Sequence, residues 1–193
     1  MIEGGRIDHA SHRNDATATI QDTLAFDAAV GVALDFQRQH PDTLIIVTTD
    51  HETDSMALIG HSKDSKEYTG MNLDALRKAK GSLELLAARL GKTPPPEKVR
   101  QEVRDTLAIE LTEDEAKTVA ADTIRTLDPK NYNYPTLHSL AFVLRPYLRV
   151  GWGSQTHTAS PLMAFGVGPG SEAISGFLHN TELFGIMQAA LAR

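Results

Sequence analysis

The sequence predicts an α/β protein built on a parallel-rich sheet flanked by helices. A helical stretch at 14–39 leads directly into TLIIVTT at 43–49, a short β-branched apolar run typical of a buried strand in a parallel sheet. Near the end of the chain, PLMAFGVG at 161–168 predicts another strand, and 180–193 predicts a closing helix. Helices that alternate with buried strands are typical of layered α/β folds.

The boundaries of the first and last predicted helices follow from capping residues. Asn14 or Asp15 is the expected N-cap of the first helix, and Pro41 ends it. Asn180 or Thr181 is the expected N-cap of the last helix. Apolar residues recur through the first helix at approximately helical spacing. They are Ile20, Leu24, Val30 and Leu34.

The stretch 61–150 is more charged and favours helices. Thr112 and Glu115 match a capping box, which predicts that a helix starts there. We interpret 61–150 as a mostly helical insertion into an α/β core portion formed by 1–60 and 151–193. Its predicted elements are helices near 95–108 and 112–127, a loop at 128–135 and a helix at 136–148.

Composition excludes several classes of function. The net charge of −6 and the lack of a basic stripe argue against nucleic acid as the main partner. No apolar run approaches the roughly 20 residues that span a bilayer, and the N-terminus lacks a signal-peptide pattern. With no cysteine, the chain has no disulfide, no zinc–thiolate site and no thiol nucleophile.

EGGRIDHASHRND, at 3–15, concentrates groups that bind metals. Asp8 and His12 are four residues apart, so in a helical turn they would share a face, and Glu3 lies just ahead of them. Carboxylate and imidazole together are the usual ligand set for zinc, and carboxylates also bind magnesium. The alternative is a polar helix-capping region with exposed histidines.

Two further clusters fall near the ends of the predicted strands. In TTDHET, Asp50 and His51 follow the strand at 43–49, where open α/β sheets bind their ligands. The alternative is a strand-ending turn, and we interpret Glu52 as a supporting or surface acid. In SQTHTASP, His157 precedes the next strand, and its alternative is a solvated loop histidine. The other histidines are expected to be structural or on the surface: His9, His40, His61, His138 and His179.

EGGRIDHASH, VTTDHET and HTASPLMAFGVGPGSEAISGFLHNTELF together resemble the C-terminal half of alkaline phosphatases, over about 1–60 and 150–193. The resemblance implies hydrolysis of phosphate monoesters at a site with two zinc ions and one magnesium ion, through a phosphoserine. It further implies that 61–150 is the variable cap or crown. The implied ligands are Asp8, His12 and His157 for the first zinc, Asp50 and His51 for the second, and Glu3 for magnesium. One departure is HTA at 157–159, where the family often has HTG.

The family's N-terminal half has no match in this sequence, so the implied fold is incomplete. That half carries the serine nucleophile, and Ser11, Ser154 and Ser160 do not stand in its context. We therefore expect no catalytic residue in this chain, and either a homodimer or pairing with a missing N-terminal half. The resemblance also implies a periplasmic or extracellular location.

Ligand counting predicts that the isolated chain binds at most one zinc ion well. Three ligands remain for the first zinc, two for the second and one for magnesium. Two alternatives to a phosphatase stay open. One is a catalytically silent fragment, and the other is a related metal-dependent phosphodiesterase or sulfatase-like hydrolase. Similar ligands also accept cobalt or calcium, so the sequence leaves the metal open.

Overall fold

The computed structural model describes residues 1–60, 72–121, 138–154 and 156–192, without the side chain of His138. Eight α-helices and six short strands lie in these ranges. The helices are α1 (Arg6–Ser11), α2 (Ala16–Gln39), α3 (Leu73–Lys78), α4 (Leu83–Leu90), α5 (Pro96–Leu107), α6 (Glu113–Ala120), α7 (His138–Leu148) and α8 (Glu182–Leu191). The strands are β1 (Ile45–Val47), β2 (Glu52–Thr53), β3 (Ala57–Leu58), β4 (Val150–Gly151), β5 (His157–Thr158) and β6 (Phe165–Val167).

The chain forms two compact units. Unit 1 consists of Met1–Glu3, Leu24–Glu52 and Ala159–Arg193. Unit 2 consists of Gly4–Thr23 and Thr53–Thr158. Each unit therefore draws on segments that are far apart in the sequence.

Unit 2 contains the hydrophobic core. Leucines three and four residues apart on α4 face inward, with Leu86 fully buried. On α5 the same spacing buries Val99 and Val103, and on α7 it buries Leu140 and Leu144. Because each helix is apolar along one stripe only, the helices must pack against one another to remove those stripes from water.

Caps fix where the helices of unit 2 begin. The Ser82 hydroxyl accepts a hydrogen bond from the Leu85 amide (3.1 Å) at the start of α4. At the start of α6, Thr112 Oγ1 accepts from the Glu115 amide (3.2 Å), and the Thr112 amide donates to Glu115 Oε2 (2.8 Å). The predicted capping box is therefore confirmed.

Unit 1 contains one antiparallel strand pair and one complete helix, α8. β1 pairs with β6 in the register Ile45 to Val167. Gly168 ends β6 at φ +101°, and a Cβ atom there would lie 2.1 Å from the Thr43 carbonyl oxygen. A side chain at Gly168 would therefore push the two strands apart. No described residue of unit 1 is buried.

Most of the predicted helices are present at nearly the predicted positions: α2, α5 and α7, with α8 shorter than expected. Asp15 caps α2, because its Oδ1 accepts from the Ala18 amide (3.0 Å). Thr181 stands at the N-cap of α8 but forms no side-chain cap bond. The predicted helix at 112–127 is seen as Glu113–Ala120, and its end, like the loop at 128–135, lies outside the described residues.

The parallel-rich sheet is not confirmed. β1 pairs with β6, and β3 with β4, and both pairs are antiparallel. A parallel sheet requires the apolar run at 43–49 to be buried on both faces, but β1 is only partly buried. None of the described helices is long and apolar enough to cross a membrane. The assignment of 61–150 as an insertion stays a prediction.

Candidate metal centre

Asp8 and His12 lie on one face of the first helical turns. α1 ends at Ser11, and His12 follows as its C-cap residue with helical backbone angles. Residues four apart therefore still meet, and His12 Nε2 lies 3.3 Å from Asp8 Oδ1. The prediction that these two side chains share a face is confirmed.

His157 reaches the same place from β5. Its Nε2 lies 3.0 Å from His12 Nε2 and 3.6 Å from Asp8 Oδ1. Each of these three residues can offer one ligand atom, and the atoms all lie within 4.8 Å of one another. Residues separated by 145 positions in the sequence thus converge on one point of unit 2.

The distances among the three ligand atoms fit a zinc ion. A tetrahedral zinc with nitrogen and oxygen ligands at about 2.0–2.1 Å separates those ligands by about 3.3–3.4 Å. The observed separations of 3.0, 3.3 and 3.6 Å bracket that value. One carboxylate and two imidazoles are also a ligand set that zinc accepts.

The cluster is partly exposed to solvent. The side chain of His157 is 50% exposed, whereas those of His12 and Asp8 are 21% and 32% exposed. Three protein ligands with access to the fourth position are the arrangement of catalytic zinc sites, whereas structural sites are closed by a fourth protein ligand.

The turn between α1 and α2 anchors this cluster to the core of unit 2. Asn14 leaves the helical path at φ +52°, and Asp15 starts α2. Asp15 Oδ2 also accepts from the Leu83 amide (2.5 Å) at the start of α4. Burial raises the pKa of the Asp15 carboxyl, against the lowering effect of the Ala18 and Leu83 amides and of Arg13. One buried carboxylate therefore ties two helix N-termini together, close in sequence to His12.

Three polar residues support the cluster, and none of them is among the predicted ligands. The Thr53 hydroxyl donates to Asp8 Oδ1 (2.7 Å). Asp54 Oδ1 lies 3.8 Å from His12 Nδ1, and Asn14 donates to Asp54 Oδ2 (3.0 Å). Thr53 and Asp54 directly follow TTDHE, but nothing in their spacing connects them with residues more than 40 positions earlier.

The remaining predicted ligands lie in unit 1. Asp50 Oδ2 is 3.4 Å from His51 Nε2, so these two side chains adjoin each other. Asp50 is 85% exposed and His51 26%, and Glu3 is also exposed. Among the described residues, none of these three belongs to a group of three candidate ligands. Their roles stay predictions.

The other histidines with described side chains have local contacts. His40 stacks on Phe36 with ring centroids 4.2 Å apart. His179 Nδ1 lies 2.9 Å from Thr181 Oγ1. The carbonyl of His9 accepts from Arg13 (3.4 Å). The side chains of His61 and His138 lie outside the described residues.

Comparisons with known proteins agree on one family. A family model described as alkaline phosphatase matches residues 1–193. Alkaline phosphatase 3 of Bacillus subtilis is 26% identical over 185 residues, which cover 95% of this chain and 37% of that protein.

Two solved structures are similar to this chain. The alkaline phosphatase of Thermus thermophilus superimposes with a TM-score of 0.81 at 32% identity, covering 97% of this chain and 42% of that one. A cold-active alkaline phosphatase from Shewanella sp. gives 0.76 at 22% identity, covering 98% and 44%. This chain thus spans well under half the length of the relatives it matches.

Proposed function

The chain belongs to the alkaline phosphatase family, and from this premise we propose that it is the metal-binding C-terminal portion of a phosphate monoesterase. The observation that carries this proposal is the meeting of Asp8, His12 and His157 at separations suited to one tetrahedral zinc. The relatives are hydrolases of phosphate esters by name, which makes a phosphatase the expected activity at the level of the family.

The proposed centre holds two zinc ions and one magnesium ion when complete. Asp8, His12 and His157 hold the first zinc, Asp50 and His51 contribute to the second, and Glu3 contributes to magnesium. Bound zinc supplies Lewis-acid stabilisation of the charge that develops on phosphoryl and leaving oxygens. The chain's own part is to hold these ligand side chains in place and to keep one side of the cluster open.

The proposed reaction needs a serine that this chain does not provide in the family's context. The serine oxygen forms a bond to phosphorus while the bond to the substrate's alcohol breaks, and the alcohol leaves with a proton. Water then attacks the phosphoserine, which releases inorganic phosphate and restores the serine. The isolated chain is accordingly expected to bind metal without efficient turnover.

The apolar surface of unit 1 supports pairing with another part of the family fold. Phe177 is 98% exposed, Leu191 90% and Met163 69%. Exposed apolar groups in such number usually mark an interface. We propose that a complementary N-terminal portion covers them. Sedimentation at micromolar concentration tests this. A symmetric homodimer of this chain would show that a second copy, and not an N-terminal portion, covers the apolar surface.

Location, substrates and the cap are proposed from family membership alone. The location in the periplasm or outside the cell is proposed from family membership. The same holds for phosphate monoesters as the small-molecule substrates and for the assignment of 61–150 as the cap.

A chimera tests the proposed function. In it, this chain replaces the matching part of the Thermus thermophilus enzyme, with which it shares 32% identity. We expect zinc-dependent hydrolysis of p-nitrophenyl phosphate that is much faster than hydrolysis of bis(p-nitrophenyl) phosphate. The matched control is the same chimera with His157→Ala, which should be inactive.

Two results would overturn the proposal. Faster cleavage of the diester would indicate a phosphodiesterase. A folded chimera that binds no zinc would indicate a catalytically silent product.

A further inference from the structure

Asp54 is a fully buried carboxylate beside the candidate metal centre. Its relative exposure is 0%, and it follows β2 with a left-handed backbone at φ +69°. Burial is costly for an acidic residue because it disfavours the charge, and a left-handed backbone is uncommon outside glycine, although aspartate adopts it more often than most residues. Such a residue persists where its surroundings hold it in place.

Hydrogen bonds hold the backbone of Asp54 at both ends. Its amide donates to the Thr156 carbonyl (3.1 Å), next to His157 in the sequence. Its carbonyl accepts from the amides of Gly153 (2.9 Å) and Ser154 (3.2 Å). The main chain of Asp54 is thereby fixed to the segment that carries the third candidate ligand.

The carboxylate of Asp54 is oriented by one residue and lies near another. Asn14 Nδ2 donates to Oδ2 (3.0 Å), and Oδ1 lies 3.8 Å from His12 Nδ1, within ion-pair distance but beyond a hydrogen bond. On the other side of the same ring, His12 Nε2 faces Asp8 and His157. The two nitrogens of His12 therefore have different surroundings, a carboxylate at Nδ1 and candidate ligands at Nε2.

We infer that Asp54 is a positioning residue that keeps the His12 proton on Nδ1 and so leaves the Nε2 lone pair for the metal. A neutral imidazole carries one N–H, and a carboxylate next to Nδ1 favours the proton there. Histidine ligands of metals commonly donate their second N–H to a carboxylate, which fixes the tautomer and the ring orientation. The inference rests on the zinc centre proposed above.

Asp54→Asn and Asp54→Gly are the variants that test this role. Asparagine tolerates the left-handed backbone, and its amide can accept from Asn14 and donate to His12 Nδ1. That donation would move the ring proton to Nε2 and block the metal-binding nitrogen. Glycine keeps the backbone angle and removes the carboxylate altogether. Glu115→Gln is the matched control, because Glu115 is a carboxylate on α6 that accepts from the Thr112 amide (2.8 Å) and the Tyr147 hydroxyl (2.8 Å).

The first readout is zinc affinity, measured by competition with a chelator. We expect Asp54→Asn to weaken zinc binding by about 10- to 100-fold and Asp54→Gly by about 10-fold, the range found for residues that orient metal ligands. Glu115→Gln should lower stability to urea and leave the zinc affinity of the folded protein unchanged.

The second readout is the ¹⁵N spectrum of the histidine rings in the metal-free protein. We expect His12 to carry its proton on Nδ1 in the wild type and on Nε2 in Asp54→Asn. An Nε2 proton on His12 in the wild type would overturn the inference. So would zinc affinities of both Asp54 variants within about two-fold of the wild type, less than the range above.

The two readouts separate this inference from the proposed function. A wild-type chain that binds no zinc would contradict the metal centre, yet the tautomer of His12 would still decide the role of Asp54. Tight zinc binding that neither Asp54 variant changes would leave the metal centre standing and remove Asp54 from it.

Discussion

The two units of this chain differ in how much of their apolar surface each one buries. The residues of the hydrophobic core cluster all lie in unit 2, where helices α3 to α7 bury apolar residues against one another. Unit 1 buries none of its described residues, although it carries Phe177, Phe184 and other exposed apolar side chains.

The candidate ligands follow the same division. Asp8, His12 and His157 lie in the unit with the core and already stand at separations suited to a metal. Glu3, Asp50 and His51 lie in unit 1, which has no buried core among its described residues. Of these three, Asp50 and His51 adjoin each other. Because packing holds side chains in fixed rotamers, a metal site is preorganised where its supporting elements are packed.

The largest expected effect is on the core of unit 2. Leu86 is 0% exposed, whereas Leu85 beside it on α4 is 39% exposed. Leu86→Ala should cost about 2–5 kcal/mol of unfolding free energy, because it leaves a cavity, and Leu85→Ala less than about 1 kcal/mol. Urea denaturation followed by circular dichroism measures both. Equal costs would mean that the helices of unit 2 do not pack as described.

Loss of a ligand is the next largest effect. His157→Ala should weaken zinc binding by more than about 100-fold, which exceeds the loss caused by changing a residue that only orients a ligand. His179→Ala is the control, because His179 contacts Thr181 in unit 1. Retention of tight zinc by His157→Ala would show that the metal binds elsewhere.

A smaller effect with a defined pH dependence is expected at Tyr147. Its hydroxyl donates to Glu115 Oε2 (2.8 Å), and burial together with this carboxylate raises the pKa of Tyr147 to about 12. Tyr147→Phe should cost about 1 kcal/mol at pH 7.

The sign of the Tyr147 effect follows from proton linkage. Tyr147 holds its proton more tightly in the native protein than in the unfolded chain, where the pKa of tyrosine is 10.0. Its contribution is therefore complete below pH 10 and is lost as the pH rises towards 12. Denaturation of both proteins at pH 8, 10 and 11 checks this, and a difference that grows with pH would contradict it.

The smallest effect on stability is expected on the exposed face of unit 1. Phe177 is 98% exposed, so Phe177→Ser should change the unfolding free energy by no more than about 0.5 kcal/mol. Urea denaturation of the wild type and the variant, followed by circular dichroism, measures this change. A loss of stability well above that limit would show that Phe177 is packed, and the contrast between the units would fail.

The sequence predicts those features that depend on neighbouring residues. The capping box of Thr112 and Glu115 and the shared face of Asp8 and His12 both follow from spacings of three or four positions. The spacing rules act within one turn of helix, so they are visible without the fold.

Contacts between segments that are far apart in the sequence cannot be predicted from local spacing. The pairing of β1 with β6 depends on how a long connection returns, and either direction satisfies the apolar pattern. Asp54 meets His12 across 42 positions by means of a left-handed turn, and no local signal marks it. His157 is a candidate because it precedes a predicted strand, but only the three-motif resemblance implies its role as a zinc ligand, since a lone loop histidine carries little information.

The division between the two units is best tested on one purified sample of this chain, with and without added zinc and magnesium. Zinc content and the hydrolysis of p-nitrophenyl phosphate are measured on that sample. We expect about one tightly bound zinc per chain, held by Asp8, His12 and His157, and no turnover. Two or more tightly bound metal ions together with brisk turnover would contradict it, because the ligands of unit 1 would then be as well organised as those of unit 2.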